Sequence, residues 1–334
     1  MILQYVVPLF GATAITLLLA PLSIKIAIHF KLIDIPHSAP HKTHKNPVPK
    51  AGGIAIMFAV FLITVGGGKL FTGDIFPILL ASIPIFLFGI WDDAKGLSAG
   101  WKLLGQCIAS AILIWQGIYI RMLPHPSLNI ALTFFWLIGM TNAFNLVDSM
   151  DGLVVGLTAI AGAFFVLVTV DANQSDLTYL SATLLGSCVG MFFFNSVPAK
   201  AFLGDSGAQF LGFVLASVAL AYTPPGLPQP SSWFVPILLL SIPIFDTTLV
   251  VYSRLRQKVP IYKAGHDHIY HRLIELNMSP TQAVTAMHVS AILVGCLAFI
   301  ALPLHPVWAN TIFISAIFGG CFVILWLENN TRKR

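Results

Sequence analysis

The stretch IFPILLASIPIFLFGIWDDAKG, Ile75 to Gly96, carries no charge from Ile75 to Trp91 and then sets two aspartates side by side. Wound as a helix, an apolar run of that length matches the hydrocarbon thickness of a bilayer, and it is far longer than a barrel strand needs. Asp92 and Asp93 then stand where the helix meets water. Outward from this segment the pattern repeats, with apolar runs near residues 2–28, 51–67, 103–120, 128–145, 153–170, 178–195, 203–222, 233–252, 283–303 and 307–327 separated by short polar islands. No strict alternation of apolar and polar residues is visible, so the runs read as helices. With 57% hydrophobic and 9% charged residues over 334 positions, the chain is excluded from the ordinary water-soluble classes. The expectation is an all-α polytopic integral membrane protein with about eleven transmembrane helices.

The loops orient it. Lys31, Lys42, Lys45, Lys50, Lys95, Lys102, Lys200, Arg254, Arg256, Lys258, Lys263, Arg272, Arg332, Lys333 and Arg334 fall on one side, against Lys69 and Arg121 on the other. The basic side is expected to be cytoplasmic, which puts the N-terminus outside and the C-terminus inside for an odd number of spans. The net charge of +5 is then mostly topology, with anionic lipid headgroups and phosphorylated ligands as further beneficiaries and no nucleic acid among the expected partners. The first apolar run has no basic residues ahead of it and no small-residue cleavage signature, so it reads as a retained span. Cys107, Cys188, Cys296 and Cys321 are isolated within spans and read as packing residues. The Pro-rich loop Thr223 to Pro230 reads as a stiff external connector, and residues 1–334 as one domain without repeats.

Chemistry is concentrated on the basic side. Asp92 and Asp93 repel one another and call for a cation, a Lys partner or a proton, unless they merely mark a solvated turn. Asn142, Asn145, Asp148 and Asp151 recur every three residues, a spacing that would line hard oxygen donors along one helical face. Helix capping would account for one or two of them. Asp205, between Gly204 and Ser206-Gly207, could complete a Mg²⁺ site with this group, and the small residues beside it permit close approach of an anion to a helix start. The loop after the ninth run gathers Arg254, Arg256, Lys258, Lys263, His266, His268, His271 and Arg272, which suits anion binding or proton handling better than zinc. Asp246, inside the ninth run, must face protein or a cavity, as a structural partner or as part of a substrate site.

Five of these stretches together resemble the polyprenyl-phosphate N-acetylhexosamine-1-phosphate transferases, glycosyltransferase family 4. They are DIPHSAPHKTHKNPVPKAGG (Asp34 to Gly53), WDDAKGLSAGWKLLGQ (Trp91 to Gln106), TNAFNLVDSMDGLVVG (Thr141 to Gly156), FFNSVPAKAFLGDSGAQFLG (Phe193 to Gly212) and HDHIYHRL (His266 to Leu273). The branch most similar is that of the undecaprenyl-phosphate GlcNAc-1-phosphate transferases. The resemblance implies a multi-pass protein of the plasma (inner) membrane, its active site built on the cytoplasmic side from loops near 31–50, 92–102, 141–152, 195–207 and 253–273. It implies transfer of a sugar-1-phosphate from a UDP-N-acetylhexosamine to undecaprenyl phosphate, with UMP released and Mg²⁺, or Mn²⁺ in its place, as cofactor. Asp205 and Asn145 are the implied metal ligands. Asp92, Asp93, Asp148, Lys102, His268 and His271 are the implied catalytic residues, and Asp151, Asn195, Phe202 and Arg272 the implied substrate contacts. A homodimer is also implied.

Departures bear on the donor sugar. Tyr270 stands where the family's histidine run carries an imidazole, Gly265 and His266 replace an Asp-Arg pair common in relatives, and the first loop is longer by two residues. Muramoyl-pentapeptide transferases usually show consecutive histidines, which this chain lacks. Outside the family, a secondary transporter would place its acids near midmembrane in broken helices. A scaffold would have no reason to gather carboxylates and histidines.

Overall fold

The structure, a computed structural model, describes residues 3–36, 46–224, 233–260, 265 and 267–331. Lys42, His44, Lys45, Lys263, His266, the last three residues and most of the Pro-rich connector lie outside the described residues. The elements are α1 (Leu3–His29), β1 (Ile33–Asp34), β2 (Val48–Pro49), α2 (Gly52–Gly66), α3 (Ile75–Lys95), α4 (Ala99–Trp115) and α5 (Pro126–Val147). They continue with α6 (Leu153–Asp171), α7 (Ser175–Asn195), α8 (Gly204–Ala221), α9 (Phe234–Leu239), α10 (Ser241–Gln257), α11 (Ile269–Glu275), α12 (Pro280–Ala301) and α13 (Pro306–Asn330).

Among the described residues, eight helices, α1, α3, α5, α6, α7, α8, α12 and α13, are long and apolar enough to cross a membrane. The fold is thus an all-α polytopic membrane protein, with a single two-stranded ribbon, β1 against β2, as its sheet among the described residues. The remaining three expected spans come out differently. Helices α2 and α4 are shorter apolar helices of 15 and 17 residues. The run Gly66-Gly67-Gly68, with Gly68 at φ +65°, ends α2. Helix α4 starts at Ala99 rather than near 103 and stops before Gly117 (φ +91°), so that Ile118 and Ile120 pack beyond the helix and the Ile120 N–H is donated to Thr133 Oγ1. The ninth run breaks at Leu240 into α9 and α10, because Pro243 has no N–H to offer the carbonyl four residues back and its ring crowds that carbonyl.

Helix α8 is the axis of the molecule, with 83% of its apolar window buried, whereas α13 has 17% of its window buried. Close packing around α8 depends on missing side chains. A Cβ on Gly53 would lie 2.4 Å from the Gly207 nitrogen, and one on Gly89 would lie 2.4 Å from the Ser206 Cα, so α2, α3 and α8 meet backbone to backbone. The ribbon serves the same junction. Lys50 bridges Phe202, whose carbonyl accepts the N–H groups of Ala51 and Gly52 at 3.0 and 2.8 Å, while the Gly53 N–H reaches the Leu203 carbonyl at 3.0 Å.

Candidate active site

Asp93 is the foundation of the site. Its carboxylate accepts the N–H of Asp205 at 2.9 Å, the N–H of Ser206 at 3.1 Å and the Ser206 hydroxyl at 2.8 Å, and so caps the start of α8. Gly204 makes the turn at φ +73°, where a Cβ would fall 2.6 Å from Asp93 Oδ2. Lys50 Nζ approaches Asp93 Oδ1 at 3.2 Å. Burial works against the Lys50 charge, but Asp93, then Asp205 and Asp34, outweigh it and hold its pKa above the ordinary lysine value.

This cap aims Asp205, which accepts hydrogen bonds from Asn145 Nδ2 at 2.9 Å and Lys102 Nζ at 3.2 Å on the same oxygen. Lys102 also ion-pairs with Asp92, and the carboxylates of Asp92 and Asp205 abut. The side chains of Lys102, Asp205 and Lys50 keep 27%, 23% and 20% of their exposure, Asp92 4% and Asp93 none, so the accessible groups are the two lysines and the Asp205 carboxylate. Beneath them lies an amide layer in which Gln106 Nε2 is donated to Asn142 Oδ1 and to Gln209 Oε1, both at 3.1 Å, and Asn142 Nδ2 returns a bond to Gln106 Oε1 at 2.9 Å.

The expected four-residue face from Asn142 to Asp151 does not persist. Helix α5 ends at Val147, Asp148 turns away from helical geometry (ψ +63°), and Gly152 at φ +75° starts α6. Asn142 therefore supports, Asn145 reaches Asp205, and the two aspartates lie in the following turn. Asp148 is half-buried. That burial, followed by the charges of Asp205, Asp93 and Asp151, pushes its pKa up to about 8. Asp151 Oδ2 accepts the Ala199 N–H at 2.9 Å. Asn195, 2% exposed, accepts the Gly152 N–H at 3.1 Å and donates to the Ala201 carbonyl at 3.0 Å. Both side chains staple the α5–α6 turn to the segment before α8. Phe202 sits half-buried in that segment.

The histidine loop forms α11. Asp246, buried in α10, meets His268 Nδ1 at 2.7 Å with one carboxylate oxygen and accepts the Ile269 N–H at 2.7 Å on the other. The Tyr270 hydroxyl meets His271 Nε2 and Ser149 of the α5–α6 turn, which brings this loop to the aspartates; burial pushes the phenol up to about 12. Arg272 turns inward, with its guanidinium bonded to Glu328 at 2.9 Å, Ser253 at 2.7 Å and Thr331 at 2.8 Å. It holds the end of α13, which leaves the expected substrate contact without an outward-facing guanidinium.

Among the described residues, no three His, Cys, Asp or Glu side chains form a metal-ligating group. Mg²⁺ asks for less, since it keeps waters and uses one or two carboxylates with substrate phosphates. Asp92, Asp205 and the amide oxygen available from Asn145 are hard donors of that kind, with the Lys102 ammonium already drawn between the carboxylates, so the donor set fits the ion. Lys50, Gln106 and Gln209 were not legible as site residues. Lys50 reads in sequence as one more cytoplasmic positive charge, and only the bridge to Phe202 shows why it arrives here.

Residues 75–223 match the description glycosyl transferase family 4. The chain is 30% identical over 316 residues to a probable undecaprenyl-phosphate N-acetylglucosaminyl 1-phosphate transferase of Bacillus subtilis, covering 90% of this chain and 86% of the relative. It is 25% identical to the undecaprenyl-phosphate alpha-N-acetylglucosaminyl 1-phosphate transferase of Yersinia pestis, covering 93% and 89%. A phospho-N-acetylmuramoyl-pentapeptide-transferase of Halalkalibacterium halodurans is 30% identical over a shorter 232 residues, 62% of this chain and 71% of the relative. The family match spans Asp92, Asp93, Lys102, Asn145 and Asp205, and with a relative 30% identical over nine-tenths of its length the chain belongs to glycosyl transferase family 4.

Proposed function

We propose that this protein transfers GlcNAc-1-phosphate from UDP-GlcNAc to undecaprenyl phosphate, the initiating step of a cell-envelope polysaccharide. The observation that carries the reading is the convergence of Asp92, Lys102, Asn145 and Asp205 from four helices onto one point. In the reaction, an oxygen of the lipid phosphate bonds to the phosphorus that bears the sugar. The bridging P–O bond breaks, and its electron pair leaves with UMP. Such a transfer between two anions depends on charge neutralisation and in-line aim, and needs no enzyme nucleophile. Lys102 supplies positive charge to the phosphates. Asp92 orients or deprotonates the lipid phosphate, and Asp93 acts from behind by holding Asp205 in place. Asp205, Asn145 and Asp92 would hold Mg²⁺, which when bound offsets the charge on the transferring phosphoryl group. The α5–α6 turn with Asp148 and Asp151, Phe202, and the loop carrying His268 and His271 frame the nucleotide-sugar.

In this reading α2, α4 and the broken α9–α10 pair also cross the bilayer of the plasma (inner) membrane, which gives eleven passages, an outside N-terminus and a cluster facing the cytoplasm. The names of the relatives over nine-tenths of the chain favour the N-acetylglucosaminyl donor. The shorter likeness to a muramoyl-pentapeptide transferase keeps UDP-MurNAc-pentapeptide as the second reading, against which Tyr270 stands. The test is UMP release by purified protein given undecaprenyl phosphate and Mg²⁺ with UDP-GlcNAc, UDP-GalNAc or UDP-MurNAc-pentapeptide. Turnover with the first alone supports the proposal, turnover with another donor moves the specificity, and no turnover by folded protein overturns the reaction.

A further inference from the structure

Asp246 is a carboxylate in the interior of α10, its side chain 1% exposed, and the transfer chemistry does not touch it. Such a group is costly to bury in a membrane protein unless both oxygens are satisfied. Both are, by donors from one short stretch: the Ile269 backbone N–H and His268 Nδ1–H, each at 2.7 Å. The backbone bond fixes one oxygen, and the second then has a single ring atom to serve. Because the carboxylate accepts from Nδ1, His268 is left with Nε2 as the atom available to a ligand. The other ionisable groups around the ring are engaged elsewhere. Tyr270, stacked at 6.1 Å, and His271, at 6.3 Å, meet one another, Arg254 of α10 pairs with Asp267, and Arg272 is tied to Glu328 of α13.

We propose that Asp246 is a positioning residue that acts through His268, fixing Nδ1 as the inward donor so that Nε2 is the ring atom turned to a phosphoryl oxygen of the donor substrate. A ring with its proton on Nδ1 has a lone pair on Nε2, so Nε2 takes a proton from solvent before it donates to that oxygen; the carboxylate stabilises the positive charge that results, and Asp246 itself contacts no substrate. This inference rests on the phosphoryl-transfer reading of the site.

Asparagine has one acceptor oxygen, so in Asp246→Asn it can serve the Ile269 N–H or His268 Nδ1–H, not both. The measurement is ¹⁵N NMR of the His268 imidazole in nanodisc-embedded protein, with no substrate present. Wild type is expected to show a protonated Nδ1 at neutral pH, and Asp246→Asn an unprotonated one. In turnover assays Asp246→Asn is expected to lose about 10²-fold in kcat with KM for the UDP-sugar within about twofold. The double variant Asp246→Asn/His268→Gln is expected to be no slower than His268→Gln alone. An unprotonated Nδ1 in wild type overturns the proposal whichever donor the enzyme takes, and does so even if no variant folds. Multiplying losses in the double variant would also overturn it, since Asp246 would then act as a structural cap alone.

Discussion

Two groups of buried acids lie on the side of the molecule where the polar loops meet, and they are managed in opposite ways. Around Asp205, three carboxylates share two lysines, one amide and a helix start, and the outermost cation and carboxylate stay partly open to solvent. Around α11, Asp246 and Glu328 are each satisfied by inward partners, at 1% side-chain exposure. The first arrangement leaves charge for a ligand to complete. The second turns its charge inward, Asp246 onto His268 and the start of α11, Glu328 onto Arg272 and the end of α13. Substitutions should therefore lower turnover at the first group without unfolding the protein, and loosen the fold at Glu328.

The largest effect should come from Asp205→Asn, expected to lower kcat by about 10³-fold or more while the thermal midpoint stays close to that of wild type. A collapse of stability there would erase the distinction. Glu328→Ala leaves the buried Arg272 guanidinium with Asp267, at 4.0 Å, as its remaining ion-pair partner and should cost about 3 kcal/mol of stability, read as a large fall in thermal midpoint in detergent. Asp92→Asn should lower turnover by about 10²-fold, because Lys102 keeps Asp205 but loses its second carboxylate. Asp93→Ala removes a helix cap and should cost about 1–2 kcal/mol, with activity falling as Asp205 loses its aim; unchanged stability would show that the cap carries little.

The last effect is a pH dependence. Asp148 has its pKa raised to about 8, so the folded state holds that proton more tightly than the unfolded chain does. Its contribution to stability is present below the ordinary carboxylate range and is lost as pH rises toward 8. Raising the pH from 5 to 8.5 should therefore lower the midpoint of wild type more than that of Asp148→Asn. Parallel midpoints for the two proteins would remove Asp148 from the set of strained carboxylates.

Hydropathy made the membrane fold readable because bilayer thickness imposes a length on every crossing helix, and eight of the eleven apolar runs correspond to helices long and apolar enough to cross. What it could not foresee was the break at Leu240, where a proline inside an apolar run kept the pattern and lost the hydrogen bond, or the early end of α5, where the polar spacing suggested a continuing face. Within the site, the residue types were legible and their jobs were not. Asp92 and Asp93 are adjacent in sequence but about 100° apart around a helix, so one meets Lys102 and the other disappears under α8. Asn195 and Arg272 look in sequence like ligands and are spent on the fold. Lys50 looks like topology and stands beside the carboxylates.

The seam where Gly53, Gly89 and the Ser206-Gly207 pair touch backbone to backbone also limits how this enzyme can change. Gly53 and Gly89 have no side chain to trim, and any that is added meets backbone within 2.4 Å, so a change that needs a roomier pocket has no cushion at these positions. A different sugar would have to be accommodated by the connecting loops, with the three-helix junction left as it stands.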